Sequence, residues 1–388
     1  MRIGAGVQAF DILAQGHAQN PPKVVVTGEC PTVGIAGGFI QGGGHGPWSN
    51  LKGFSADNVL EFEVLTASGH FITVNADSYP DLFWALKGGG PASYAVIISV
   101  VMKTYEDLPS SGATLFINYT HTYDTNQIWK VTEVFHSYAN HFVNNGIYVY
   151  YEIAPFTFRV LPFVAIDKTE AQLLAILQPM LDELDALSLP YEFASKSYPT
   201  FYELYLDLFE AENAADSALT GGWMFNQEDV ALRNADIINA FKTVASPVPD
   251  RPDVIGILIG HIFNPGHSVP VANSATHPAW RNASDFVIAV LPVPVGASLA
   301  EKAYMQDVLT NTMDQAMRDV SSSGCTYVNE ADPYQENWGN HFWGAENYAQ
   351  LQQIRAKWDP KGVFYAISTP GTETWHVVED GTRLCKKL

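Results

Sequence analysis

Between Gly28 and Gly46 the chain carries eight glycines in nineteen residues, with Cys30 near the start and His45 near the end. Backbone this poor in Cβ atoms reaches positive φ freely and lets another molecule come close. Its N–H groups suit a diphosphate or the edge of a flat ring; the alternative use is a set of tight structural turns. A thiolate at Cys30, among unpaired N–H groups, would be stabilised and able to bond covalently to an electrophilic cofactor, whereas a buried thiol there would serve as a small hydrophobe. The run does not end in Lys-Ser/Thr, which excludes a Walker A loop. Gly4, Ala5 and Gly6 lack the third glycine and downstream acid of a dinucleotide fingerprint.

Other chemistries are disfavoured. The 11 histidines show no paired spacing with a carboxylate, and Cys30, Cys325 and Cys385 stand at no metal-ligand spacing, so no metal is expected. No Gly-x-Ser-x-Gly elbow occurs, which argues against a serine hydrolase. With 21 Lys+Arg against 41 Asp+Glu the formal charge is −20, a field that repels nucleic acid and anionic membrane surfaces. No apolar run approaches the roughly 18–20 residues of a membrane span. The partner this leaves is a small molecule, bound by a monomer with 12% aromatic residues to build cores or a ring-binding cleft.

The scaffold expected around these residues is α+β. From residue 1 to 106 short β-rich runs alternate with glycine: Lys23 to Thr27, Ile35 to Phe39, Val59 to Leu65, His70 to Val74, and a strand near Tyr94 to Lys103. Thr66 to Gly69 reads as a hairpin turn, and Pro80 starts a helix through Leu86. From 107 to 335 longer strands, Ala113 to Asn118 and Ile147 to Ile153, alternate with amphipathic helices, Asn126 to Asn140 and Lys168 to Ser188. That pattern suggests an antiparallel sheet with helices on one face. Val254 to Ile259 and Phe286 to Val295 read as buried strands, and 336 to 388 as a helix, Ala345 to Lys357, followed by an irregular tail. The chain starts in mid-strand at Ile3, with no basic and apolar leader. The sequons at Asn118 and Asn282 fit a secreted glycoprotein.

The run from Gly28 through Cys30, Gly34 and Gly38, followed by Gly42 to Gly46 and Ser55 to Glu61, resembles the PCMH-type FAD-binding domain of the vanillyl-alcohol-oxidase superfamily, in particular its fungal berberine-bridge-enzyme-like oxidases. Support continues in Asp81 to Gly90 and Ser93 to Ser99, and returns in Tyr327 to Asp332, Trp343 to Tyr348 and Trp358 to Tyr365. The resemblance implies a FAD-binding half at 1–106, incomplete at its N-terminus, a substrate domain at 107–335, and a C-terminal segment at 336–388 that returns to the FAD domain. It implies a thioether from Cys30 to flavin C6, with Pro31, Thr32, Val33, Gly34, Gly37, Gly38, Gly43 and Gly44 around the cofactor, Tyr94 and Val96 at its adenine end, and Tyr365 lining the site. Val33 resembles the oxidases, whose co-substrate is dioxygen and co-product hydrogen peroxide. Tyr327 and Asn329, on one face of a strand, are the expected catalytic pair, with His277 and Glu330 toward the substrate. His45 follows the cysteine and so is not the family's flavin-linked histidine, which lies upstream of it. The function implied is FAD-dependent oxidation of a small alcohol, carbohydrate or secondary metabolite; the alternatives are a flavin-free remnant and a non-redox cyclase. Cys325 and Cys385 are candidates for pairing in an oxidising compartment.

Overall fold

A computed structural model describes residues 1–118, 125–209, 218–267, 273–378 and 383–387. Two antiparallel sheets organise it. The smaller has the spatial order Arg2–Gly4, Ala95–Met102, Val59–Thr66, Phe71–Asn75. Its hairpin turns at Gly69, where φ is +84° and a Cβ would strain the backbone. The helix Pro80–Leu86 starts on its proline, whose missing N–H would be unpaired there in any case.

The larger sheet has seven strands in the order Glu192–Tyr198, Ser110–Asn118, Thr157–Ile166, Tyr148–Ala154, Ile257–Ile262, Ala283–Pro292, Ala218–Asn226, every neighbouring pair antiparallel. The helices Thr125–Ser137, Glu170–Ala186 and Gln227–Ala245 belong to the core on one of its faces, with Val149, Tyr151, Phe158 and Phe163. Its opposite face packs Tyr148, Tyr150, Phe263 and Phe286 against the glycine-rich half of the chain and against Tyr327 and Trp343. Asp57 ties the halves together, since both its oxygens accept from Arg281, at 2.7 and 2.9 Å.

Five local expectations are corrected. Ile35–Phe39 is a helical turn and not a strand: the Ile40 N–H returns to the Ile35 carbonyl, so the segment bonds within itself and joins no ladder. Of Lys23 to Thr27 only Lys23 and Val24 join a ladder, with Glu106 and Tyr105. The strand expected from Val254 begins at Ile257, because Val254 closes a turn by donating to the Arg251 carbonyl at 2.9 Å. The tail after Trp358 is not wholly irregular, since Trp375–Val378 pairs with Arg383–Lys386. Cys325 and Cys385 are free; the first is sealed in the core, while the second lies in that hairpin opposite His376. Of the sequon at Asn118, Tyr119 and Thr120 lie outside the described residues.

Candidate functional site

The glycine run divides into an open half and a packed half. A Cβ built on Gly34 or Gly37 would meet nothing within 4 Å. A Cβ on Gly42 would lie 2.4 Å from the Asn329 amide, on Gly44 2.6 Å from the Phe39 ring, and on Gly46 2.1 Å from the Thr27 carbonyl. Gly43 and Gly44 also carry φ of +125° and +76°. The packed half therefore serves the protein's own turns, and the open half leaves space beside its backbone for a ligand. The segment before it is fixed by the start of the helix Ala9–His17, where Ala9 N–H donates to the Val33 carbonyl at 3.0 Å and Phe10 N–H to that of Pro31 at 3.1 Å. Half-buried Cys30 neighbours Tyr205, whose hydroxyl donates to the Glu29 carbonyl at 2.8 Å. Burial first, and then the Cys30 and Glu29 charges, push the Tyr205 phenol up from its ordinary range.

Opposite stands the inner face of the seven-stranded sheet. Period-two alternation along Tyr148–Ala154 sends Val149, Tyr151 and Ile153 to the helix side and leaves Tyr148, Tyr150 and Glu152 for the other. Tyr148 donates its hydroxyl to the Glu29 carboxylate, and His261 Nε2 lies 3.6 Å from the other Glu29 oxygen. Tyr150 and Arg159 both donate to Glu152, at 2.6 and 2.7 Å. His45 Nε2 pairs with Glu330 at 3.2 Å, its ring stacking on Phe263 and standing edge-on to His261 with centroids 5.0 Å apart. Both histidines are buried, and neither Nδ1 has a hydrogen-bond partner.

The residues expected from sequence scatter around this centre. Tyr327, Asn329 and Glu330 lie in a tight turn and not on a strand, since the N–H groups of Glu330 and Ala331 both return to the Tyr327 carbonyl. The turn still brings Tyr327 and Asn329 together: the Asn329 amide donates to the Tyr327 hydroxyl at 2.7 Å and to the Gly38 carbonyl at 3.0 Å. Burial, then Glu330, raises the Tyr327 phenol, so it stays protonated. Glu330 is a partly exposed carboxyl whose burial cost is outweighed by His45, leaving its pKa lowered. Thr32 and Gly38 are exposed, Pro31, Val33 and Tyr365 half-buried. Tyr94 is sealed in the core with its hydroxyl on the Gly89 carbonyl, and Val96 points to the exposed face of its strand. His277 caps the short helix Pro278–Asn282 by accepting from Ala279 N–H at 3.0 Å, and burial pulls its pKa down to about 4.

Known proteins share this fold. Residues 1–75 match the family described as FAD binding domain and 326–367 the one described as Berberine and berberine like. An FAD-linked oxidoreductase of Gibberella zeae, ZEB1, is 35% identical over 387 residues, covering 100% of this chain and 66% of the relative. The crystal structure of the VAO-type flavoprotein MtVAO615 from Myceliophthora thermophila C1 superposes with a TM-score of 0.89 at 28% identity, over 99% of this chain and 69% of that one. This chain is a berberine-bridge-like member of the vanillyl-alcohol-oxidase superfamily. A glucooligosaccharide oxidase of Acremonium strictum, described with a 6-S-cysteinyl, 8α-N1-histidyl FAD, shares the fold at a TM-score of 0.73 and 18% identity, over 95% of this chain and 78% of that one. The chain spans 66% of the length of the curated relatives ZEB1 and patO.

The open glycines and the half-buried thiol beside them fit a flat cofactor, because the backbone at Gly34 and Gly37 offers space that no side chain among the described residues fills. Sequence reasoning missed Glu29 and the polar residues of the sheet face that it meets: Tyr148, Tyr150, Glu152, Arg159 and His261. A signal was present in the alternate polar positions of Tyr148 to Glu152, and in a lone histidine within the apolar run Ile257 to Ile262. What no spacing encodes is the meeting of Tyr148 and His261 with Glu29, more than a hundred residues away.

Proposed function

We propose that this chain carries the active centre of an FAD-dependent oxidoreductase, an oxidase of a small alcohol, carbohydrate or secondary metabolite. The observation that supports this is the open half of the glycine run beside Cys30, set against a sheet face rich in titratable groups. Pro31, Thr32, Val33, Gly34, Gly37 and Gly38 would hold the flavin ring along their backbone, and Cys30 Sγ would tether it. Residues 1–106 and 336–388 then form the cofactor side of the centre and 107–335 the substrate side. When bound, FAD supplies a two-electron acceptor for a carbon-bound hydride, with dioxygen as the terminal oxidant. The protein's own part is to orient the substrate and handle its proton. Tyr327, held protonated, accepts from the Asn329 amide and donates to the Phe39 carbonyl at 3.4 Å, a long bond that a substrate oxygen would replace, so its role is that of a donor and not a base. Glu152, fixed by Tyr150 and Arg159, offers an acceptor row for substrate hydroxyls. No helix is long and apolar enough to cross a membrane among the described residues, and secretion is part of this proposal.

The visible spectrum of the purified protein, before and after acid precipitation, tests the reading. Flavin absorbance that stays in the pellet, and that leaves it in Cys30→Ala, is the expected result. A colourless protein, even after refolding with FAD, would favour a flavin-free remnant.

A further inference from the structure

Two carboxylates approach two imidazoles where the glycine run meets the sheet. Glu330 stands 3.2 Å from His45 Nε2, and Glu29 stands 3.6 Å from His261 Nε2. A carboxylate at Nε2 favours the tautomer that keeps the proton there and leaves the lone pair on Nδ1. Both Nδ1 atoms are buried and unpartnered, an unfavourable state unless a proton or a donor arrives. The rings are 5.0 Å apart, close enough for the charge on one to be felt by the other.

We propose that His45, His261, Glu29 and Glu330 form one proton-holding centre, which stores the proton released by substrate oxidation and discharges it to solvent through Glu330. The proposal rests on the oxidoreductase reading above. In the oxidation of an alcohol, the carbon-bound hydrogen leaves with its electron pair to the oxidant, a flavin; the O–H bond breaks as C=O forms; and the proton makes a new N–H bond on an imidazole Nδ1. Loss of that proton through Glu330 restores the starting state, so one proton enters and one leaves per turnover. Glu330 suits the exit because its side chain is 32% exposed, against 13% for Glu29.

The surroundings favour holding positive charge. Burial works against a charged His261, but Glu29, then Glu330 and Asp285, outweigh it, so its pKa is raised. Tyr148, Tyr150 and Tyr327 face the same rings as neutral phenols, and among the described residues no Lys or Arg is paired with Glu29 or Glu330. Glu29 acts through His261 and is a positioning residue; so is Tyr148, which donates to it.

The test is ring-nitrogen NMR of the ¹⁵N-histidine-labelled holoprotein from about pH 4 to about pH 10, with exposed His70 as internal reference. The proposal expects His45 and His261 to lose protons in two linked steps, and Glu330→Gln to lower both steps by about one pH unit or more, tenfold in proton affinity. Glu29→Gln, read the same way, keeps the test valid should Glu330→Gln fold poorly. Independent titration of the two rings, or steps unmoved in both variants, would overturn it. Peroxide release from a panel of primary and secondary alcohols and oligosaccharides is measured in parallel. Linked rings without turnover of any member would sink the oxidase reading and its proton delivery; turnover with independent rings would sink the centre alone.

Discussion

On each face of the seven-stranded sheet a tyrosine, a carboxylate and a histidine meet, and the two sets differ in which atom is left without a partner. On the helix side, Tyr151 donates to Asp285 at 2.6 Å, His136 Nε2 meets the same oxygen at 3.1 Å, and His136 Nδ1 is paired with Asn234 at 2.5 Å. Asp285 and His136 have no exposed side-chain surface. On the site side, Tyr148 and His261 share Glu29, but His261 Nδ1 has no partner and the His–carboxylate separation is half an ångström longer. The helix-side histidine, with both ring nitrogens bonded, holds a helix to a sheet and leaves the Asp285 Oδ1 oxygen unpartnered; the site-side histidine keeps an unpartnered ring nitrogen, which has capacity for a proton or a ligand. Tyr148 and Tyr151 lie three residues apart on one strand, so it is the odd offset that sends them to opposite faces and opposite uses.

The contrast breaks most sharply at the histidines. His261→Gln is expected to lower the rate of substrate oxidation by about 10²–10⁴-fold while shifting the urea midpoint less than His136→Gln does. Equal stability losses in both variants, with no rate difference between them, would make the two sets alike. Asp285→Ala should destabilise the fold by about 3–5 kcal/mol in denaturant unfolding, because it strands a buried imidazole and a buried phenol together. A second pair of variants sharpens the same distinction within the glycine run. Gly44→Ala, at positive φ and against Phe39, should cost about 1–3 kcal/mol of stability, whereas Gly34→Ala, in extended backbone, should leave unfolding within about 0.5 kcal/mol and instead lower the fraction of purified protein that carries flavin.

The smallest effect concerns pH. His277 and His341 are both pulled down to about 4, first by burial, so the folded state prefers their neutral forms. Unfolded chains bind protons at these positions below the ordinary histidine value of about 6.5, and the folded state does not until about 4. Stability should therefore fall as pH drops through that window, by about 1 kcal/mol for each partly buried ring, and His277→Asn should flatten the profile.

How much of this was legible in the sequence follows from where the information lies. The hairpin at Gly69, the helix started by Pro80 and the strand Ala95–Met102 rest on local turn chemistry and period, and each appears within two residues of its expected bounds. Ile35–Phe39 misled because a β-rich composition around Gly37 and Gly38 says nothing about whether the segment joins a ladder or bonds within itself, as it does. At the site, Tyr327 and Asn329 were expected to share one face of a strand; they lie in a turn that bonds them to each other, a contact that strand alternation does not encode. Glu29 was written beside Cys30 and passed over, because its partners Tyr148 and His261 are joined to it only by the packing of the two halves.

That neighbour relation has a geometric consequence. Glu29 and Cys30 are separated by a single peptide unit, about 3.8 Å between Cα atoms, a length that does not stretch. The tether proposed for the cofactor and the anchor of His261 are thus two marks on one short ruler. Its far side is clamped by Tyr205 on the Glu29 carbonyl and by Phe10 on that of Pro31. One residue inserted between the marks would slip them by about 3.3 Å, more than the whole span of a hydrogen bond. This stretch of loop should therefore tolerate changes of side chain far better than any change of length.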